Sequence, residues 1–319
     1  MWLSQPEFWS RPGLLPMLLQ PLALAYGAVG AARRALAEPY HAPVRVICVG
    51  NLVVGGAGKT PVVESLARFL AARGGRPHIL SRGYSGTEIG PVAVDTARHS
   101  SAEIGDEPLL LARAAPVWVA RDRVAGARAA IAAGASCLLL DDGHQNPSLA
   151  KDLSLLVVDG AYGVGNGHVL PAGPLRESAR AGLARADAIV LLGEDRNGLG
   201  AALAQPVLHA SLVALNAEEF TGRDTVAFAG IGRPEKFFAS LEAAGAKLSA
   251  RRAFPDHHPY RESELQHLAG KARAAGAILV TTEKDWVRLP PSWQTRVQTL
   301  RVEIAWRDRD ALDRLLARL

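Results

Sequence analysis

Eleven consecutive residues, Gly50-Asn51-Leu52-Val53-Val54-Gly55-Gly56-Ala57-Gly58-Lys59-Thr60, sit between an apolar run and a helix-like one. Glycines let backbone N–H groups close on phosphate oxygens, a lysine neutralises charge on the outer phosphates, and a threonine hydroxyl suits Mg²⁺. The strict phosphate-loop pattern asks for glycine five places before Gly58. Val53 stands there, so the segment is a variant of the form Gly-Gly-x-Gly-Lys-Thr. Gly55, Gly56, Gly58, Lys59 and Thr60 are the candidate nucleotide contacts, with Thr60 also a metal ligand.

Triphosphate chemistry also needs a carboxylate at the end of a neighbouring strand to hold the metal. Four apolar residues, Cys137 to Leu140, run into Asp141 and Asp142, which fill that need. A guanine-reading motif would place lysine second in its tetrad; in Thr282-Glu283-Lys284-Asp285 it comes third, so ATP is preferred. Apart from that, the tetrad reads as a helix start capped by Thr281 or Thr282. Transfer to an alcohol further requires a group that accepts or relays the hydroxyl proton. Asp106, His144, His257 and His258 are candidates, and spacing alone does not choose among them.

The elements that must hold these residues follow from periodicity. Continuous apolar runs at Val44–Val49, Pro77–Leu80, Pro91–Val94, Val117–Ala120, Cys137–Leu140, Leu153–Val158 and Ala188–Leu192 suggest strands buried on both faces. Helical patterns at Pro61–Arg73, Glu107–Ala114 and Arg123–Ala133 lie between some of them, which implies a parallel sheet covered by helices. After the polar stretch 216–223 a second series begins: Thr225–Ala229, a helix over Pro234–Ala244, then Ala277–Thr281 and Thr299–Ile304. The expected organisation is an N-terminal segment (1–40), a P-loop NTPase-like α/β unit (41–215) and a smaller α/β unit (216–319).

Composition narrows the field. With 319 residues, 49% hydrophobic and 21% charged, the chain can bury sizeable cores without disulfides. Its two cysteines, Cys48 and Cys137, exclude a disulfide framework and an all-cysteine zinc site, and fit a reducing compartment. The net charge is +5, but only six of the 36 basic residues are lysines and no run of five basic residues occurs. Nucleic acid is therefore not an expected partner. One stretch departs from the average: Pro12 to Ala32 is 21 residues without a charge, bounded by Arg11 and by Arg33 and Arg34. Pro16 and Pro21 argue against a continuous span and for a helix from about Pro21 to Ala37. Its leucines, with Trp2, Phe8 and Trp9 ahead of them, suit a segment resting in a membrane interface; a cleaved signal peptide and a helix packed on the domain are the alternatives.

Together these residues carry a resemblance. Val-Gly-Asn-Leu and Gly-Gly-x-Gly-Lys-Thr-Pro (49–61), Ser-Arg-Gly-Tyr (81–84), Gly-Asp-Glu-Pro (105–108), Asp-Asp-Gly-His-Gln (141–145), Asn-Gly through Leu-Pro-Ala-Gly-Pro-Leu-Arg-Glu (166–177), Ala-Gly-Ile-Gly (229–232), Asp-His-His (256–258) and Thr-Glu-Lys-Asp (282–285) occur in this order. The set resembles the tetraacyldisaccharide 4′-kinase (lipid A 4′-kinase) family over about residues 44–288. The resemblance implies a kinase that uses ATP and Mg²⁺ to phosphorylate the 4′-hydroxyl of a tetraacylated disaccharide 1-phosphate at the cytoplasmic face of the inner membrane, as a peripheral or monotopic protein. No obligate protein partner is implied. It makes Asp106 and His257 a catalytic pair, alongside Lys59, and assigns Thr60, Asp141 and Glu107 to the metal and Asp142 to the nucleotide. Arg176 and Glu177 would assemble the site around the phosphate, and Arg82, Arg121 and Asn166 would contact the acceptor. The competing readings are a P-loop kinase or ligase of a soluble metabolite, and a nucleotide-switched ATPase that binds a protein partner.

Overall fold

The computed structural model of the chain describes residues 6–11 and 13–318, so Trp2 and Pro12 lie outside the described residues. Strands β1 (Arg45–Gly50), β2 (Pro77–Ser81), β3 (Val92–Ala93), β4 (Val117–Val119), β5 (Cys137–Asp141), β6 (Leu153–Asp159), β7 (Ala188–Leu192) and β8 (Val207–Ala214) come first. Then follow β9 (Asp224–Ala229), β10 (Lys247–Ala253), β11 (Ile278–Thr282), β12 (Gln298–Leu300) and β13 (Val302–Trp306). Among the described residues they form two sheets, ordered β13, β8, β7, β6, β1, β5, β2, β4, β3 and β10, β9, β11, β12. Only the edge pairs β13–β8 and β3–β4 are antiparallel. This is the expected α/β architecture, a phosphate-loop-type parallel sheet with a smaller α/β unit and an apolar N-terminal helix.

The apolar runs explain the central order. β1, β2, β6 and β7 are buried along nearly their whole length because helices cover both faces of the sheet. On one face Val62, Val63, Leu66 and Ala67 of the helix Lys59–Ala71 pack against Ile47, Val49, Ile79 and Leu155. On the other, Ala127 and Ala130 of the helix Arg123–Ala132 meet Val46, Cys48, Leu80 and Leu138. Truncating a fully buried leucine such as Leu66 to alanine costs about 2–5 kcal/mol at such sites.

Two strands carried no continuous apolar run and were not expected. β8 reads Val-Leu-His-Ala-Ser-Leu-Val-Ala, and β10 reads Lys-Leu-Ser-Ala-Arg-Arg-Ala and is largely exposed at the edge of the small sheet. The run Thr299–Ile304, expected as one strand, is two. It breaks at Arg301, where the buried Asn216 side chain accepts from the Arg301 N–H at 2.9 Å and donates to the Thr299 carbonyl at 3.0 Å. β12 closes the small sheet, whereas β13 and the helix Arg309–Leu316 return to the large one. Sheet membership therefore puts residues 302–316 with the large sheet, not with a unit running from 216 to 319.

The N-terminal helix spans Gln20–Ala35 with Pro21 in its first turn, close to the expected bounds. A shorter helix, Leu14–Leu18, precedes it. Leu14, Leu18 and Leu24 are more than 70% exposed, so this is an apolar surface and not a helix packed into the core. Among the described residues, no helix is long and apolar enough to cross a membrane.

Candidate active site

The glycine-rich loop leaves the C-terminal end of β1, which lies between β5 and β6 in the large sheet. Its helix begins at Lys59, and Gly58 just before it has φ +83°. That left-handed angle favours glycine, and a Cβ there would also stand 2.5 Å from Leu192 Cδ1, which would have to move. Lys59 Nζ donates to Asn51 Oδ1 at 3.1 Å and lies 3.6 Å from Asp142 Oδ2. Asn51 is itself buried and donates to the Val53 carbonyl, which braces the loop from within.

Asp141 and Asp142, adjacent in sequence, have opposite characters. β5 pairs with β1 and brings Asp141 level with Val49. Asp142 turns out at φ +57°, and Arg176 Nη1 donates to both of its oxygens at 2.9 and 2.8 Å. Burial alone would raise this carboxyl, but Lys59 and Arg176 outweigh it and hold it at about 2. Asp141 is buried; its carboxylate receives a 3.3 Å hydrogen bond from Ser81 Oγ and makes no ion pair among the described residues, while its carbonyl accepts from Arg123 Nη2 at 3.2 Å. Burial and then the like charge of Glu107 push it up to about 6. Lys59 and Arg123 offset this only in part, and a buried carboxylate so placed is one where an added cation is stabilised.

A second cluster comes together from both sheets. Asp106 starts the helix Asp106–Leu111, next to Gly105 at φ +86°, where a Cβ would be 2.5 Å from the Tyr84 carbonyl oxygen. The small unit supplies His257 after β10, at φ +57° with its N–H on the Gly230 carbonyl. Such left-handed backbone is uncommon outside glycine and marks sites where surroundings dictate conformation. His257 Nδ1 lies 2.9 Å from Asp106 Oδ2, and Arg288 Nε lies 3.3 Å from that same oxygen. Burial would raise the Asp106 carboxyl, yet the hydrogen bond from His257 and the Arg288 charge leave it below its ordinary value. The Tyr84 ring stands 5.2 Å from the imidazole.

Lys284 joins the cluster from the far side. Its Nζ is 2.8 Å from Glu107 Oε1, 3.3 Å from His257 Nε2 and 3.7 Å from Asp256 Oδ1. Burial pulls the ammonium down, but Glu107, Asp256 and Asp106 more than compensate and keep it protonated above its ordinary range. Glu107 thus links the two clusters, since its charge is felt by Asp141 on one side and paired with Lys284 on the other. Asp106, Glu107 and His257 also have ligand atoms within 4.8 Å of one another, with the lysine ammonium already beside two of them.

The two units meet over the glycine-rich loop. A Cβ at Gly232 would be 3.0 Å from the Gly56 nitrogen. Beyond it, Arg233 and Lys236 both pair with buried Asp159 at the end of β6, and the Arg233 guanidinium lies 4.0 Å over the Tyr162 ring.

The remaining expected residues fall into two groups. Arg82 and Arg121 are exposed after the adjacent strands β2 and β4, on the side of the sheet that carries the site. Asn166 is spent inside the protein, donating to the Phe8 and Ala172 carbonyls and accepting from the His168 N–H. Buried Glu177 likewise binds Arg185, Gln145 and, at 3.4 Å, Arg34 of the N-terminal helix. His144 is a wedge beneath the loop, with Nε2 on the Gly182 carbonyl; burial, then Arg185, holds it at about 4. His258 stacks on Phe254 and bonds Glu264, away from the Asp106 contact. Sequence reasoning missed Lys284, Arg288, Asp256 and Tyr84. Lys284 and Arg288 follow the C-terminal end of β11, and ligand sites in open α/β sheets lie outside such strand ends.

Comparison with known proteins identifies the family. The family model described as Tetraacyldisaccharide-1-P 4′-kinase matches residues 15–319. A tetraacyldisaccharide 4′-kinase of Rhodospirillum centenum is 57% identical, covering 99% of this chain and 97% of its own length. One from Paramagnetospirillum magneticum is 55% identical, covering 94% of each. The crystal structure of LpxK from Aquifex aeolicus in complex with ATP superposes with a TM-score of 0.77 at 29% identity, over 96% of this chain and 99% of that one. The chain belongs to the tetraacyldisaccharide-1-phosphate 4′-kinase family.

Proposed function

We propose that this chain transfers the γ-phosphate of ATP to the 4′-hydroxyl of a tetraacylated disaccharide 1-phosphate, a step of lipid A biosynthesis. One observation carries the reading: Glu107 connects an acidic strand end beside a glycine-rich loop to an Asp106–His257 hydrogen bond, so triphosphate binding and proton acceptance are neighbours. Backbone N–H groups of Gly55, Gly56 and Gly58 with Lys59 would cradle the phosphates, and Asp142, locked by Arg176, would keep Lys59 in position. Thr60 and Asp141 offer the hard oxygen donors that suit Mg²⁺, which when bound with the nucleotide draws charge from the β- and γ-phosphates.

His257 takes the 4′-hydroxyl proton at Nε2 as the new O–P bond forms and the bond to the β-phosphate oxygen breaks, releasing ADP. Asp106 orients the ring through Nδ1 and stabilises the imidazolium that results. Arg82 and Arg121, exposed after the adjacent strands β2 and β4, suit the acceptor's sugar or its 1-phosphate.

The acceptor is a lipid, and the exposed leucines of residues 14–24 suit a headgroup interface. The protein is read as peripheral or monotopic at the cytoplasmic face of the inner membrane. The test is incubation with [γ-³²P]ATP, Mg²⁺ and the disaccharide, followed by mass spectrometry of the chloroform-soluble acceptor. Added mass at the 4′ position supports the reading. Label on a water-soluble metabolite, or ATP turnover with no phosphorylated small product, would replace it.

A further inference from the structure

We propose that Lys284 is a positioning residue that, together with Asp106, fixes the tautomer of His257, so that the proton-accepting lone pair is at Nε2. This inference rests on the reading of His257 as proton acceptor. The imidazole is held between two groups of opposite demand. On one side the Asp106 carboxylate lies 2.9 Å from Nδ1 and accepts a hydrogen; on the other the Lys284 ammonium lies 3.3 Å from Nε2 and donates one. A neutral ring satisfies both only with its hydrogen on Nδ1. The opposite tautomer would aim an N–H at an ammonium and a lone pair at a carboxylate. Which nitrogen carries the proton is set by the hydrogen bond the other makes, and here the two contacts agree.

Lys284 is held for this task. Its helix is capped by Thr282, whose hydroxyl accepts from the Asp285 N–H at 3.0 Å, and its ammonium is tethered by Glu107 at 2.8 Å and Asp256 at 3.7 Å. When the acceptor arrives, its hydroxyl replaces the ammonium as the donor at Nε2. The tether keeps the positive charge beside the reacting atoms, where negative charge gathers on the phosphoryl oxygens. A neutral side chain of similar length would leave Asp106 alone to select the tautomer, with nothing at Nε2 to oppose a hydrogen there.

The test is a ¹⁵N spectrum of protein labelled in histidine, at pH 8, with the His257 signals assigned by their loss in His257→Gln. Wild type is expected to show a protonated Nδ1 and a bare Nε2. Lys284→Met is expected to gain the Nε2–H form and to lose roughly 10²-fold in turnover, the cost of a slight misplacement, with KM for ATP changed by less than about twofold. Lys284→Arg should restore the wild-type signature. A wild-type spectrum with hydrogen on Nε2, or wild-type turnover in Lys284→Met, overturns the role of Lys284. Normal turnover in His257→Gln would instead overturn the reading of His257 as proton acceptor, and the role of Lys284 with it.

Discussion

His257 and Asp106 lie 151 residues apart in sequence and 2.9 Å apart in space, one from each unit of the fold. Neither side chain has the contact without the other, so both should matter equally. His257→Ala and Asp106→Ala are each expected to lower turnover by ~10²-fold or more, the usual worth of general acid–base catalysis. Calorimetric ATP affinity should change little, because neither residue belongs to the glycine-rich loop. A wild-type rate in His257→Ala would remove it from the mechanism.

Lys59 should behave differently. It meets both Asn51 and Asp142, so Lys59→Ala removes a loop brace and, on the proposed reading, a phosphate contact with it. Nucleotide affinity and turnover should both fall, by roughly 10-fold or more each. Unchanged ATP affinity in that variant would contradict the loop's assignment.

Arg176 controls an acid transition. The Asp142 carboxyl sits at about 2, below its ordinary 3.8, so its ionised form stabilises the fold above pH 3.8. That contribution is lost as pH falls through about 2. Arg176→Ala removes one of the two cations responsible, so the midpoint of acid unfolding followed by circular dichroism should move to higher pH. A midpoint at or below wild type would show that the ion pair contributes nothing.

Asp141 has the reverse sign. With its carboxyl pushed up from 3.8 to about 6, the folded state loses stability as pH rises through that window and stays penalised above it. In chelator-treated protein at pH 8, Asp141→Asn should therefore raise Tm by about 2 °C or more, with no gain at pH 3. The same variant should lose phosphoryl transfer, so that stability and activity move in opposite directions.

The apolar N-terminus is best tested without deleting it, because Gln20 and Arg34 contact His168 and Glu177 of the body. Leu18→Glu combined with Leu22→Glu alters only exposed positions. Each leucine side chain taken out of an apolar interface forfeits about 1.5–3 kcal/mol. Sedimentation with anionic phospholipid vesicles should fall by ~10-fold or more while the circular dichroism spectrum is kept. Equal sedimentation would exclude this face as the anchor.

Much of the large sheet was legible because its strands are buried on both faces and therefore read as unbroken apolar runs. The same rule hid β8 and β10, whose His209, Ser211, Arg251 and Arg252 interrupt the pattern where one face meets solvent. The glycine-rich loop was legible through local spacing, even with Val53 in place of glycine. The Asp106–His257 contact is not a local property, and only resemblance suggested it. Lys284 was passed over because Thr282 makes the tetrad a sound helix cap, and the segment does both jobs: the threonine shapes the backbone while the lysine side chain turns to His257.

Glu177 and Arg176 are neighbours in the chain. The first holds Arg34 of the N-terminal helix and the second holds Asp142 beside Lys59. One ion pair, one peptide bond and one further ion pair therefore separate the leucine-bearing helix from the carboxylate next to the glycine-rich loop. If the helix rests on lipid as proposed, that short linkage would set the height of the chemistry above the bilayer. The sugar would then rise to meet the phosphate while its acyl chains stayed in the hydrocarbon. Lifting those chains into water would cost about 0.8 kcal/mol for every methylene, and an active site moored at that altitude would spare the enzyme from extracting its substrate.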